Sequence, residues 1–432
     1  MQKEISELEA AGNSCDNWNG IRVAEDFTTK NILNSKFSGK IKLHGFSGKL
    51  LSYAGVQFQT GIFNSWINES VIEDACIRDV KLLSNSVVCE DALVFNAGTI
   101  ICDSDMSQIK IGTEMGYRIL KRQFSENERT IIGRGARVCN INSLENSHIG
   151  DFAKVENGAL LKDSLLENYC TVTDNAIVRS SFIDSHSHIS EAEVCNSLVG
   201  PLTQIHHHSL LISALWPEGR GNIGYGANVG SNHTGRMPDQ EIMPGLGAFF
   251  GLGCSIKFPA NFSEAPFTMI ATGTICEPQR LKFPFSLIKS GQTPGLNEII
   301  PGWVYSKNIY GVYRSVYKWD KRSGASNMNM LFSKQVLDCV SYACNALKEM
   351  DIPGLGSNYI KLENIEKVIE AYELYVEDCS FYQKNKKLNP SVIFRIEKNR
   401  ERDCNRGQEI FDDYMEFHPR DEEFFEWLNA NM

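Results

Sequence analysis

Several features that would assign this chain to a familiar class are missing from its 432 residues. No stretch approaches the roughly 18 consecutive apolar residues of a membrane-spanning helix, so no membrane association is expected. The opening segment MQKEISELEAAG is polar and acidic, without the basic-then-apolar layout of a secretory signal. Basic residues do not dominate: 43 Lys and Arg against 53 Asp and Glu leave a net charge of −10. Such a chain carries no broad positive field for nucleic acid. Thirteen cysteines are present, an odd number, scattered from Cys15 to Cys404 with no CxxC pair. Neither a disulfide framework nor a zinc ribbon follows from that spacing, and reduced thiols in a cytoplasm are the expectation. No GxxxxGK[ST] run occurs, and Gly245-Leu-Gly247 does not follow a βαβ pattern, so dinucleotide binding is not supported.

What the chain does have is a period. Ile132, Val138, Leu144, Ile149, Val155, Leu161, Leu166, Val172, Val178, Ile183, Ile189 and Cys195 are all apolar and recur at intervals of 6, 6 and 5 residues, a repeat of 17. The same rhythm links Val71, Ile77, Leu83, Val88, Val94 and Ile100. An α-helix repeats every 3.6 residues and a strand every 2, so neither produces this pattern. A coil of three short strands and three corners does. One side chain per strand then points inward and stacks on its equivalent one coil later. Each such anchor contributes roughly 1.5–3 kcal/mol by burial. Gly, Asp, Asn, Ser and Glu follow the anchors, as in Ile149-Gly-Asp and Val172-Thr-Asp, and these residues suit tight corners.

The pattern resembles the hexapeptide-repeat proteins, and that resemblance implies a left-handed parallel β-helix. The expected organisation is a helical or extended segment over 1–36, the β-helix over 37–277, a strap over 278–330 and an α-helical region over 331–432. Within the β-helix, excursions are expected at about 101–131 and 215–259, where the rhythm fails. The aromatic run Tyr305, Tyr310, Tyr313, Tyr317 and Trp319 reads as a packing strip. From Leu331 the period turns helical: Val336, Leu337, Val340, Cys344 and Leu347 share a face behind Ser333 as N-cap. Ile365, Val368, Ile369, Tyr372 and Tyr375 mark a second helix.

Six of the nine histidines lie between residues 186 and 233. Strict phase places His206 inward. Ile205 is the better core residue, so a one-residue slip is expected after Gly200-Pro201. His206, His207 and His208 would then alternate around a strand, with His188 one strand spacing from His206. His233 follows in the Gly-rich run GANVGSNHTGR, with Asn232 and Arg236 beside it. Histidine titrates near working pH and serves as a general base. In hexapeptide-repeat acyltransferases, the resemblance implies, a histidine deprotonates the acceptor while a coenzyme A or acyl-carrier thioester lies along the prism between subunits of a homotrimer. His233 is the first candidate base, His207 the second and His206 the third. Oxyanion stabilisation would need a backbone N–H or an amide such as Asn232, and His188, His208 and Arg236 are the expected substrate contacts. The i, i+2 pairs His186/His188 and His206/His208 would share a strand face, which leaves zinc ligation as a second reading.

Glu114, Gly116 and Arg118 in GTEMGYR form a third cluster, suited to a polar or phosphorylated substrate or to a surface ion pair. This run, together with Gly200-Pro201, Thr203, His206-His207, Leu211, Ser231-Asn232-His233, Pro284-Phe-Ser286 and Lys318-Trp-x-Lys321-Arg322, resembles the β-helix family DUF4954. The likeness extends over roughly residues 14–322. His208 stands where that pattern has lysine, and the long helical insertion after Arg118 is absent. The resemblance implies a β-helix whose histidines and Glu114–Arg118 run share a functional surface, and it implies no particular reaction. Three functions are therefore expected in order: acyl transfer to a sugar or other small polar acceptor, a non-enzymatic ligand-binding or scaffold trimer, and a zinc-dependent hydratase or hydrolase.

Overall fold

A computed structural model describes residues 2–103, 129–231, 241–350, 358–360, 364–408 and 419–432. The chain forms two compact units, Met1–Pro217 and Glu218–Met432.

The first unit is a parallel β-solenoid with three short strands per coil. Val155 pairs in register with Val172, and Val172 with Ile189. On the next face Leu144, Leu161 and Val178 align. On the third, Ile132, Ile149, Leu166 and Ile183 align. All are fully buried, so the rungs predicted by the 17-residue period form the core. Upstream, Ile62, Ile77 and Val94 stack in the same way.

Two anchors move by one residue. Ile72, not Val71, is the buried rung that pairs with Val88. Val194, not Cys195, lies under Val178 and is fully buried. The slip therefore precedes Gly200-Pro201. The corners Asn157-Gly158 and Asp174-Asn175 each place two residues in the left-handed region, whereas the next corner places Glu191 alone there. Losing one corner residue advances every later rung by one, which pairs Ile189 with Ile205 and Ile183 with Val199.

The solenoid also begins earlier than the rhythm indicates. After helix Gln2–Ala10, strands Ser14–Cys15, Ile21–Val23 and Ile32–Leu33 pair in parallel with later coils. A hairpin joins Leu50–Tyr53 to Val56–Gln59 through left-handed Ala54 and Gly55, the geometry that suits a two-residue turn. Its Phe58 packs on Cys76, Leu93 and Cys139. The expected excursion at 101–131 falls mostly outside the described residues; Val88 pairs with Ile132 across it.

Corners are held by side chains as well as by turns. Ser147, Ser164, Ser181 and Ser197 each donate from Oγ to the carbonyl two residues back, at 2.7–2.8 Å. Each Oγ also accepts the backbone N–H one coil on, at 3.1–3.2 Å. A buried hydroxyl used in both roles satisfies the corner amide that it faces.

The second unit continues the same chemistry with shorter strands. Asn222–Ile223, Phe249–Phe250, Met269–Ile270 and Leu287–Ser290 form one parallel face. Asn228–Ser231, Ser255–Lys257 and Ile275–Cys276 form another, and Ile242–Met243, Ala260–Asn261 and Gln279–Arg280 a third. Residues 215–259, read from the sequence as an excursion, thus carry coil strands. Their inward residues recur at unequal, longer intervals, so no fixed period marks them. Asn297–Ile300 then pairs antiparallel with Leu287–Ser290 and reverses the chain. The segment read as a strap continues into helices Trp303–Lys307 and Ile309–Ser323. Helices Lys334–Lys348, Ile365–Asn385, Pro390–Gln408 and Pro419–Ala430 follow. Ser333 caps the first of these, its Oγ accepting from the Val336 amide. No helix among the described residues is long and apolar enough to cross a membrane.

Candidate functional site

One corner of the first unit carries a column of side chains two residues past each inward rung: Asn64, Asp79, Asn96, Asn140, Asn157, Asp174, Glu191 and His207. All eight adopt positive φ, between 48° and 58°. Asn, Asp and His enter this region more readily than other side-chain-bearing residues, so the coil geometry selects them. Neighbouring rungs bond in pairs. Asn64 Nδ2 donates to Asp79 Oδ1 at 2.9 Å, Asn96 to Asn140 at 2.9 Å and Asn157 to Asp174 at 3.1 Å. At Glu191 and His207 the amide pair gives way to a carboxylate and an imidazole, with His207 Nδ1 at 3.0 Å from Glu191 Oε2.

This pair is open to solvent, the side chains being 57% and 41% exposed. Backbone bonds fix it: the His207 amide donates to Ser190 O at 3.2 Å and the His208 amide to Glu191 O at 2.7 Å. The His206 ring meets the His207 ring edge-on, 4.6 Å between centroids. A carboxylate on Nδ1 sets the tautomer that carries the lone pair on Nε2. Among the described residues His207 Nε2 makes no hydrogen bond.

The other histidines are dispersed more than expected. Strand Gln204–His206 ends at His206, and His207 and His208 both lie in the left-handed corner, so the three do not alternate around a strand. His188 pairs with Gln204, and His206 with Ser190. They sit on neighbouring strands but are offset and are not register partners. His186 lies at a different corner with φ 59°, stacked on Tyr169 at 4.9 Å. Neither i, i+2 pair shares a strand face, because His186 and His208 are both corner residues. Among the described residues no group of three or more His, Cys, Asp or Glu side chains is arranged to hold a metal ion. Asn232, His233 and Arg236, with Glu114 and Arg118, lie outside the described residues.

Three thiols of the first unit are poor nucleophiles. Burial pushes Cys195 up to about 12, with the Glu193 carboxylate adding to the effect. Burial likewise raises Cys139 to about 12 and Cys76 to about 11. These cysteines stay protonated at neutral pH and do not supply a thiolate.

Glu191 was missed by sequence reasoning. The signal was available: it stands 16 residues before His207, at the position where earlier coils carry Asn or Asp.

Residues 1–121 match DUF4954, a domain of unknown function. That span contains Glu114 and Arg118, whereas the matching stretches at 200–211, 231–233 and 284–322 fall beyond it. An uncharacterized protein of Treponema pallidum (strain Nichols) is 30% identical over 446 residues, covering 81% of this chain. The chain spans about 60% of the length of that relative. Among solved structures, the UDP-N-acetylglucosamine acyltransferase of Francisella novicida is 13% identical, with 67% of this chain and 90% of that one covered and a TM-score of 0.23. LpxA of Acinetobacter baumannii is 8% identical, with 84% and 96% covered and a TM-score of 0.20. The fold assignment rests on the parallel register of the coils themselves.

Proposed function

We propose that this protein transfers an acyl group from a thioester, either acyl-CoA or an acyl carrier, to a hydroxyl or amine of a small polar acceptor, with His207 as general base. The single observation that carries the reading is the 3.0 Å contact between His207 Nδ1 and Glu191 Oε2 on an exposed corner. It moves the first place from His233 to His207, which has its orienting carboxylate in the same coil stack. In the step, Nε2 takes the acceptor's proton as its oxygen or nitrogen attacks the thioester carbonyl. The tetrahedral intermediate collapses, the carbon–sulfur bond breaks, and the leaving thiolate takes the proton back from Nε2. Glu191 holds the imidazole and balances its transient charge. Backbone N–H groups or Asn232 would stabilise the oxyanion, and a homotrimer would bring thioester and base together between subunits.

Thiol release from acyl-CoAs over a panel of sugar and amine acceptors tests this. His207→Ala is expected to lower turnover by about 100-fold or more in a protein that remains folded, and Glu191→Gln by about 10-fold. Unchanged turnover in His207→Ala removes the base. Absence of both turnover and thermal shift with every thioester would favour a non-enzymatic ligand-binding trimer instead.

A further inference from the structure

The same corner column carries a second feature, far from His207. Around its upper rungs lies an open cavity of about 520 Å³, whose lining includes Asn64, Asp79, Lys81, Asn96, Asn140 and Asn142, with Val80, Ala97, Gly98 and Ile141 between them. Two columns build it. Asn64, Asp79, Asn96 and Asn140 occupy left-handed corner positions. Beside them, the register Val80–Ala97–Ile141 stacks Lys81, Gly98 and Asn142 on successive coils. Gly98 thus removes the middle side chain between two long polar ones. A Cβ there would come within 2.2 Å of the Asn142 carbonyl oxygen, so the coils approach closely and the notch stays empty of side chain.

The corner side chains bond in pairs, and one gap between pairs falls inside the notch. Asn64 bonds Asp79 and Asn96 bonds Asn140, and no bond joins Asp79 to Asn96 among the described residues. Lys81 makes no ion pair among the described residues. The notch therefore presents a carboxylate oxygen, amide oxygens and N–H groups and an ammonium, balanced in charge. Tyr53, whose hydroxyl accepts from Asn140 Nδ2 at 3.0 Å, borders it. An acyl chain would face a mostly polar lining here. A phosphate would meet one cation and one carboxylate. A neutral polyhydroxylated molecule can use the carboxylate, the ammonium and the remaining donor and acceptor capacity of the amides, since each hydroxyl both donates and accepts.

We infer that this notch is a carbohydrate-binding subsite that takes a short oligosaccharide along the corner. Four rungs at about 4.8 Å each give it a length of about 14 Å, suited to two or three sugar units. It lies four coils, about 19 Å, from His207, and the inference does not depend on acyl transfer.

Saturation-transfer NMR and calorimetry with maltose, cellobiose and N,N′-diacetylchitobiose test it, with inorganic phosphate and hexanoate as controls. At least one disaccharide is expected to bind at one site per chain, and neither control is. Asp79→Asn keeps a residue tolerant of the left-handed corner, and Lys81→Met keeps the exposed stem. Each is expected to weaken binding at least tenfold. His207→Ala is expected to bind the same disaccharide unchanged, which separates this subsite from the proposed base. No binding by any of the three sugars, or full binding in both Asp79→Asn and Lys81→Met, overturns the inference.

Discussion

The two units carry the same corner device and treat it oppositely. In the first, Phe152, Tyr169 and His186 stack one coil above another, with ring centroids 5.2 and 4.9 Å apart. In the second, Phe267 and Phe285 stack at 5.0 Å with planes 3° apart. Each stack begins under a glycine, Gly135 or Gly247, whose Cβ would strike the ring below at 2.6 or 2.7 Å. Yet Phe152 and Tyr169 are 40% and 51% exposed, whereas Phe267 and Phe285 are buried. The difference is the helical cover. Tyr305 and Tyr375 lie 5.1 and 5.2 Å from Phe285, and Trp319 lies 6.2 Å from Phe267. Stacked corner rings are thus a property of the coil, and their burial is a property of what the chain later adds.

Four measurements test that contrast in full-length protein. The largest effect is expected from Phe285→Ala, at about 4 kcal/mol by urea unfolding, because a large buried ring is removed and its cover cannot collapse into the gap. Next comes the device that holds the cover. Asp378, fully enclosed, accepts from Tyr305 Oη at 2.6 Å and forms an ion pair with Arg395. Arg395→Met is expected to cost about 3 kcal/mol, since it strands a buried carboxylate.

A smaller effect is expected in the first unit from pH. Burial lowers His148 to about 4. Above about pH 6.5 both folded and unfolded forms are neutral there and nothing is lost. As pH falls from 6.5 to about 5, the unfolded chain takes the proton first, and about 2 kcal/mol of stability is lost. His148 pairs in register with Leu165, and His148→Leu should flatten unfolding free energy between pH 7 and 4.5. A slope unchanged by the substitution would place the acid sensitivity elsewhere. The smallest effect is expected from Tyr169→Ala, about 1 kcal/mol or less, because only stacking is lost from a half-exposed ring. If instead it matches Phe285→Ala, the first ladder is covered in solution by another copy of the chain.

The rungs were legible without coordinates. Val155, Val172 and Ile189 follow a fixed interval because every coil must bury one side chain per strand. Ile72 and Val194 were not placed correctly, because a corner shortened by one residue leaves an apolar neighbour, Val71 or Cys195, in the expected phase. The second unit's coils were hidden for a related reason: unequal corners erase the interval while the strands persist. The candidate site was half legible. The clustering of histidines drew attention to 186–208. Which of them meet depended on register, and the stack scattered His186 and His188 away from His207 while supplying Glu191.

Composition and spacing alone determined a stacked interior, since the burial of one aliphatic side chain per strand is decided coil by coil and leaves its interval in the chain. Tertiary structure alone decided the chemistry of the corners. Glu191 and His207 stand 16 residues apart and come to 3.0 Å only when one coil settles on the next. The fate of the aromatic ladders was decided there too, by helices that bring Tyr305, Trp319 and Tyr375 over one stack. Contacts of that kind depend on where distant segments pack, and no local interval records them.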